Sequence, residues 1–407
     1  MSRTPLLCLG LCLLVTVTAA GQAPKPRARD LGIPFLGTPG PLNAITDVAG
    51  VQVGQTTLIS GEGKLVPGQG PVRTGVTAVF PRGNHDDEPV FGAWWTLNGN
   101  GEMTGTTWLE ESGFLWGPVT ITNTLSVGTV RDAVIEWALK RKYDDFLWAL
   151  PVTAETWDGG LNDIDGFHVK KEHVFQALDS AKGGPVAEGN VGGGTGMVCH
   201  EFKGGIGTAS RKLPDKAGGF TVGVLVQCNY GVRSQLTISG VPVGREISDL
   251  MPCYTLAPTG SPSRDYPMCG TQGAVPAESA ATAEYGSIII VVATDAPLMP
   301  HQLKRLVKRA ALGVGRMGGI GGDSSGDIFV AFSTANRGAA VGDSGVRTVT
   351  MWPNDNINPL FDAVANATQE AIVNALVAAE TMTGADGFKV YGMPVGRVQA
   401  VMKKYGR

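Results

Sequence analysis

Between Met317 and Phe332 the chain reads Met-Gly-Gly-Ile-Gly-Gly-Asp-Ser-Ser-Gly-Asp-Ile-Phe-Val-Ala-Phe, a hydroxyl-bearing turn set between a helical pattern and a buried-strand pattern. A serine hydroxyl is a weak nucleophile at neutral pH until a base takes its proton, and a serine at a chain terminus carries such a base in its own α-amine. That amine titrates near pH 8, at about 7.7 to 8.0 in model peptides, so part of it is neutral under working conditions. Ser325 fits this chemistry if its hydroxyl attacks the carbonyl behind it, opens the Ser324–Ser325 bond and makes Ser325 a new N-terminus. The tandem serines leave the scissile bond ambiguous by one residue. Gly318, Gly319, Gly321, Gly322 and Gly326 let the backbone bend tightly around the hydroxyl. Two other readings stay open: an inert turn whose serines cap backbone groups, and a Gly-Asp-Ser-Gly loop of trypsin-like type, echoed at Gly322-Asp323-Ser324 and Gly342-Asp343-Ser344-Gly345. The second needs a histidine held by a buried aspartate, and none of His85, His168, His173, His200 and His301 lies in a recognisable partner motif.

The elements that must position this turn are legible on both sides. Pro300 to Arg316 has apolar residues at helical spacing, and Ile328 to Phe332 reads as a strand covered on both faces. Phe220–Gln227 and the Ile/Val run within Gly286–Thr294 are the strongest further strands. Other expected strands are Val76–Phe80, Val119–Thr122, Phe146–Val152 and Thr348–Met351. Amphipathic helices are expected at Val130–Lys140 and Glu172–Lys182, and a long one runs from Asn358-Pro359 to Gly384. Strands interspersed with helices that can cover outer faces point to an α+β fold, two packed sheets between helix layers.

Three polar stretches are candidates for a cleft. Leu97 to Gly113 is too polar for a core strand and too glycine-rich for a helix, so it is a loop in which Asn98 and Asn100 either line a site or supply positive φ in turns. Glu188, beside the glycines at 192–194, can bind a substrate ammonium or pair with a surface lysine. Asp158, Asp163 and Asp165 do not match a calcium loop and read as turn and capping residues.

Composition bounds the rest. Hydrophobic residues make up 43% and charged residues 17% of 407, enough for a large core, and the net charge of -3 without a basic run argues against nucleic acid. Arg3, the apolar run Leu6–Val17 and Thr18-Ala19-Ala20 form a secretory signal over residues 1–20 that is too short for a membrane span. Residues 21–36 read as a loose leader, and 37–407 as one domain exported to the periplasm or medium. Cys253 and Cys269 are the expected bridge, with Cys199 and Cys228 as buried thiols. No His or Cys spacing suits a metal.

Several motifs in one order extend the reading: Asn98-Gly-Asn-Gly-Glu-Met-Thr-Gly-Thr-Thr-Trp, Asn123-Thr-Leu-Ser-Val-Gly, Gly192-Gly-Gly-Thr-Gly-Met, Phe202-Lys-Gly-Gly-Ile-Gly-Thr-Ala-Ser-Arg, Pro300-His-Gln-Leu and Ser325-Gly-Asp-Ile-Phe-Val-Ala-Phe-Ser-Thr-Ala-Asn. Over about Gly32 to Gly384 the chain resembles the DmpA-type aminopeptidases, which include the L-aminopeptidase/D-amidase/D-esterases and the β-aminopeptidases. The resemblance implies an αββα sandwich and self-cleavage before Ser325. It also implies release of N-terminal residues from small peptides, amides or esters through an acyl-enzyme, no cofactor, and homo-oligomers of processed heterodimers. It places Glu188 at the substrate amine, Asp295 where the family often has an oxyanion-binding Asn, His200 where it often has a site Tyr, and Asp355 at an acidic position beside the nucleophile. The departures at His200, Asp295 and Pro353 leave an acyltransferase or a weakened binding protein as alternatives.

Overall fold

The computed structural model describes residues 25–143, 149–259, 266–271, 285–340, 342 and 345–407. The expected signal at 1–20, residues 146–148 of an expected strand, and Asp343 and Ser344 lie outside the described residues.

Two sheets stack face to face. One has the order β1 (Gln52–Ser60), β2 (Val72–Phe80), β5 (Val119–Asn123) and β6 (Val152–Thr156). The other has the order β4 (Phe114–Leu115), β3 (Val90–Thr96), β13 (Ser324–Ser333), β12 (Tyr285–Thr294), β10 (Thr221–Asn229) and β9 (Gly205–Lys212). Short pairings join β7 (Val198–Cys199) to β8 (Phe202–Lys203), and β11 (Cys253–Tyr254) to β15 (Phe388–Val390) and β14 (Met382–Thr383).

The strand alternation sorts side chains into layers. Ile289, Val291, Ile328 and Val330 join Ile121, Ala154 and Leu225 between the sheets. Ile288, Ile290, Phe329 and Ala331 face the other way, under a helix layer. That layer holds α5 (Pro300–Val307), α6 (Ala310–Arg316) and α7 (Asn358–Ala378). On the far side, Val76, Ala78 and Phe80 pack under α2 (Val127–Lys140) and α3 (Lys171–Asp179). The result is the expected αββα order. Short helices α1 (Thr106–Ser112), α4 (Val243–Glu246) and α8 (Val395–Lys404) sit outside it.

Five expectations are corrected. The helix expected over Pro300–Arg316 is two helices, and a short helix, α1, interrupts the loop expected over Leu97–Gly113. No strand forms at Thr348–Met351. Residues 25–36 of the supposed loose leader are tied down: Ala28 is fully buried, Arg27 pairs with Glu188, and Arg29 pairs with the buried Glu370. Proline and arginine suggested a solvated strap, but buried carboxylates waited for those guanidinium groups, and an unpaired buried charge is costly. Cys199 and Cys228 form a second disulfide beside the expected Cys253–Cys269 bridge. Apolar flanks made them read as thiols, yet the turn between β9 and β10 folds Cys228 back against β7.

β12 and β13 are parallel neighbours, joined by a crossover through α5 and α6. Their register pairs Gly286 with Ser325 and Ser287 with Gly326, so two serines open adjacent strands at one end of the sheet.

Candidate active site

A cavity of about 730 Å³ opens between the sheets at that end, lined by Gly99, Asn100, Gly101, Glu102, Thr124, Glu155, Trp157, Gly286, Ser287 and Ser324. The alternation decides which serine hydroxyl it receives. Ser287 shares the inter-sheet face with Ile289 and Val291, and is 5% exposed at the cavity wall. Ser325 shares the opposite face with Phe329 and Ala331, has no exposure, and donates its hydroxyl to Asp327 Oδ1 at 2.6 Å. Ser324 reaches the cavity; Ser325 does not.

Backbone geometry around Ser287 is specific. Gly286 has φ +135°, and a Cβ there would stand 1.8 Å from the Asn229 carbonyl oxygen, so only glycine fits before this serine. Gly326 N–H donates to Ser287 Oγ at 3.1 Å, which fixes the hydroxyl while leaving its own proton available for transfer. Gly326 must also lack a Cβ, since one would meet the Asn100 carbonyl at 2.4 Å.

That close approach comes from the Asn98–Glu102 loop, which staples β13. Asn98 Nδ2 donates to Gly322 O at 2.7 Å, and Asn98 Oδ1 accepts from Asp327 N at 2.7 Å. Asn100 Nδ2 donates to Ser324 O at 3.0 Å. Neither asparagine has positive φ. Both therefore act as clamps on the strand; Asn100 forms part of the cavity wall and Asn98 does not.

The carboxylate in the cavity is Glu155, which the sequence reading did not single out because the expected strand stopped at Val152. It is 3% exposed; Oε1 accepts from Glu102 N at 2.9 Å and Oε2 from the Thr124 hydroxyl. No lysine or arginine pairs with it among the described residues. Burial pushes its pKa up, with the Thr124 and Glu102 hydrogen bonds pulling the other way. A cationic ligand would relieve that cost. Behind it, Asp158 accepts from Asn123 Nδ2 and Asn162 Nδ2 and is pushed up to about 6 by burial. Asn229, paired with Ser287 across β10, spends its amide on Trp157 O and Val198 N, pinning Trp157 in the wall. A glycine-serine step opening the longest β-branched strand, and an acidic residue closing β6, were the signals for Ser287 and Glu155.

Four expected site residues lie elsewhere. Glu188 is held by Arg27 at 2.7 Å and by Thr208 N at 2.8 Å on the edge strand β9. Its register puts it two strands across and four residues along from Ser287, about 10 Å by about 13 Å. Its charge is already answered. Asp295 follows the opposite end of β12, where Oδ1 accepts from Thr221 N at 2.7 Å, roughly 26 Å from Ser287 at strand rise. Asp355 sits exposed in a turn near that same distant end, beside Trp352, whose N–H donates to Pro297 O. His200 is buried against Tyr230 with Nδ1 at 3.2 Å from Val232 O and does not line the cavity. Among the described residues no cluster of three or more potential metal ligands occurs.

His200 has a consequence for stability. Burial holds its pKa down at about 4, against 6.5 for an ordinary histidine. The unfolded chain therefore takes up a proton near pH 6.5 that the folded protein refuses until about 4, and stability falls as pH drops through that window. Asp158, raised to about 6, acts with the opposite sign below that pH. Comparison with a variant separates them: between pH 7 and pH 5 the wild type should lose about 2 kcal/mol more than His200→Gln in urea unfolding. Equal losses would mean that His200 does not titrate this way.

With a sandwich of two sheets between helices and a serine hydroxyl at its open end, the chain has the layout of an amide-bond hydrolase. It belongs to peptidase family S58, whose model matches residues 43–390. It is 54% identical over 391 residues to "Beta-peptidyl aminopeptidase BapA" of Sphingosinicella microcystinivorans, covering 96% of this chain and 95% of that protein. Among solved structures it is similar to a Burkholderia sp. β-aminopeptidase, at 46% identity and TM-score 0.81 over 94% of this chain and 99% of that one. It is equally similar to the L-aminopeptidase D-Ala-esterase/amidase of Ochrobactrum anthropi, described as a variant of the Ntn hydrolase fold, at 45% identity and TM-score 0.82, covering 94% and 99%. The fold is thus an Ntn-hydrolase sandwich.

Proposed function

We propose that this protein is a self-processing serine aminopeptidase that releases N-terminal residues, β-amino acids among them, from short peptides, amides or esters, and that Ser287 is its nucleophile. The observation carrying this reading is the placement of Ser287 and the cation-free Glu155 in one cavity. It revises the expectation for Ser325, whose hydroxyl is buried on the helix-covered face. The names of the β-peptidyl relatives support the activity and the substrate class.

In the processing step Ser287 Oγ attacks the Gly286 carbonyl carbon, the C–N bond breaks, and the Ser287 nitrogen takes a proton to become the terminal amine. The resulting ester is hydrolysed by water. In turnover that amine receives the Ser287 proton while Oγ attacks the substrate carbonyl, then delivers it to the leaving amine, and a water hydrolyses the resulting acyl-enzyme ester to release the N-terminal residue and restore the Ser287 hydroxyl. Glu155 holds the substrate ammonium, which sets the register of the attacked carbonyl. Ser325 and Asp327 brace the strand whose Gly326 N–H holds Ser287 Oγ.

Export and a homo-oligomer of processed heterodimers complete the proposal; two disulfides support an oxidising compartment. N-terminal sequencing of the small fragment tests the centre of it. A start of Ser-Ile-Ile-Ile is expected, while Ser-Gly-Asp-Ile would return the nucleophile to Ser325.

A further inference from the structure

The proposed chemistry needs an amine anchor and a nucleophile at a fixed spacing, and the two stand on different sheets. Glu155 lies at the end of β6 in one sheet, and Ser287 at the start of β12 in the other. On the β13 side the Asn98–Glu102 loop links them, through Asn100 to Ser324 O and through Glu102 N to Glu155. On the β10 side the link is made by side chains. Alternation turns Gln227 and Asn229 toward the facing sheet, as it does Leu225. Gln227 Nε2 donates to Thr122 O at 3.0 Å and to the Thr156 hydroxyl at 2.8 Å, and Asn229 Nδ2 donates to Trp157 O at 3.0 Å. Thr156 and Trp157 directly follow Glu155, while Asn229 faces Ser287 in the β10–β12 register.

Asn229 is itself held by a residue that the mechanism leaves unused. Its Oδ1 accepts from Val198 N at 2.8 Å. The carbonyl of that same peptide unit, Met197 O, accepts from Lys203 Nζ at 2.8 Å. Lys203 is fully buried; its Nζ also donates to Gly204 O at 2.8 Å and to Gly194 O at 3.4 Å, and no carboxylate answers its charge among the described residues. A lysine buried in this way is costly. It pins both ends of Gly194–Met197, a stretch that glycine would otherwise leave loose, and it polarises the 197–198 peptide, which strengthens the N–H bond to Asn229.

We propose that Lys203 is a positioning residue for substrate choice: through the 197–198 peptide and Asn229 it fixes the distance between the ammonium anchor and the nucleophile. That distance decides how many backbone atoms the acyl residue carries between its amine and its carbonyl. The class selected is the β-aminoacyl one, in which these groups are separated by one more C–C bond, about 1.5 Å, than in an α-amino acid. The assignment rests on Glu155 as anchor and Ser287 as nucleophile.

Glycyl and β-alanyl p-nitroanilide test it, since they differ by that one methylene alone. Mature wild-type protein should favour the β-alanyl compound in kcat/KM by about tenfold or more, the scale on which a site discriminates one methylene. Lys203→Met keeps an unbranched apolar stem and removes the donors, and the ratio should fall to about twofold. A ratio is insensitive to the fraction of folded enzyme, so lost stability alone does not move it. Self-cleavage of the variant should persist, because the attack of Ser287 on Gly286 runs within β12 and does not involve Glu155. Lys203→Gln keeps a donor of shorter reach, should give an intermediate ratio, and carries the test if the methionine variant does not fold. Val364→Ala, in the helix layer away from the tie, should lower stability and leave the ratio at the wild-type value. A wild-type ratio in the lysine variants that fold, or a ratio that Val364→Ala moves as far as Lys203→Met does, overturns the positioning role while leaving anchor and nucleophile standing. So does a wild type that hydrolyses both compounds equally well. A mature wild type that hydrolyses neither overturns the proposed function, and the role of Lys203 falls with it.

Discussion

Ser287→Ala should appear on a denaturing gel as one uncut chain and should lose at least about 10⁴-fold in kcat/KM on aminoacyl p-nitroanilides, reaching the background rate. The size of the effect follows from two roles on one atom. Without Oγ the Gly286 carbonyl has no internal attacker, so the α-amine that serves as base is never released. A substrate reaching the cavity would then meet neither nucleophile nor base. Unfolding does not compete as an explanation, since the lost hydroxyl accepts one hydrogen bond, from Gly326 N, at the open end of the sheet. Ser287→Cys is the companion variant: a thiol at the same position should restore cleavage before residue 287, at a changed rate. A cut Ser287→Ala chain with a fragment beginning at residue 325 would place the chemistry on the neighbouring strand.

How much of this was legible beforehand differs between fold and site, and the reason lies in β12 and β13. Continuous apolar runs at Ile288–Val292 and Ile328–Phe332 announce strands buried on both faces, and the amphipathic α2, α3 and α7 announce the covering layers; the αββα order follows. A strand buried on both faces has no polar alternation, however, so nothing in the letters says which side chain points between the sheets. Ser287 and Ser325 both precede such a run. Glycines drew attention to Ser325, whereas the register pairing Ser287 with Gly326, a tertiary fact, is what sets Ser287 and not Ser325 at the cavity wall. Asp295 shows the same limit in length: it follows the strand that begins at the site, and strand rise carries it to the far end. Glu188 failed for a different reason, because its partner Arg27 is 161 residues away in a segment that reads as unstructured. The Leu97–Gly113 stretch was legible as a segment with a purpose, and its first half is the expected loop, whose Asn98 and Asn100 reach the strand beside Ser287, but its second half forms α1, which the glycine content concealed.

Glu155→Gln should lower kcat/KM by about 10²- to 10³-fold on substrates with a free N-terminal amine, mostly through KM. Glutamine keeps the volume; its oxygen can accept from Glu102 N while its NH₂ donates to the Thr124 hydroxyl, so the wall of the cavity stays in place. What disappears is the negative charge, buried and unanswered by any lysine or arginine among the described residues, that makes a substrate ammonium favourable there. The discriminating measurement is a pair of substrates, an aminoacyl anilide and its des-amino counterpart. Wild type should prefer the free amine by a factor that Glu155→Gln largely removes, while the des-amino compound should be turned over at a similar slow rate by both proteins. Because burial holds the Glu155 pKa above the ordinary carboxylate range, the wild-type preference should also weaken as pH falls toward that raised value and the carboxylate is protonated. A preference that survives in Glu155→Gln would mean that the ammonium is held by other groups, and that the buried carboxylate serves only to fix the Glu102 and Thr124 loops.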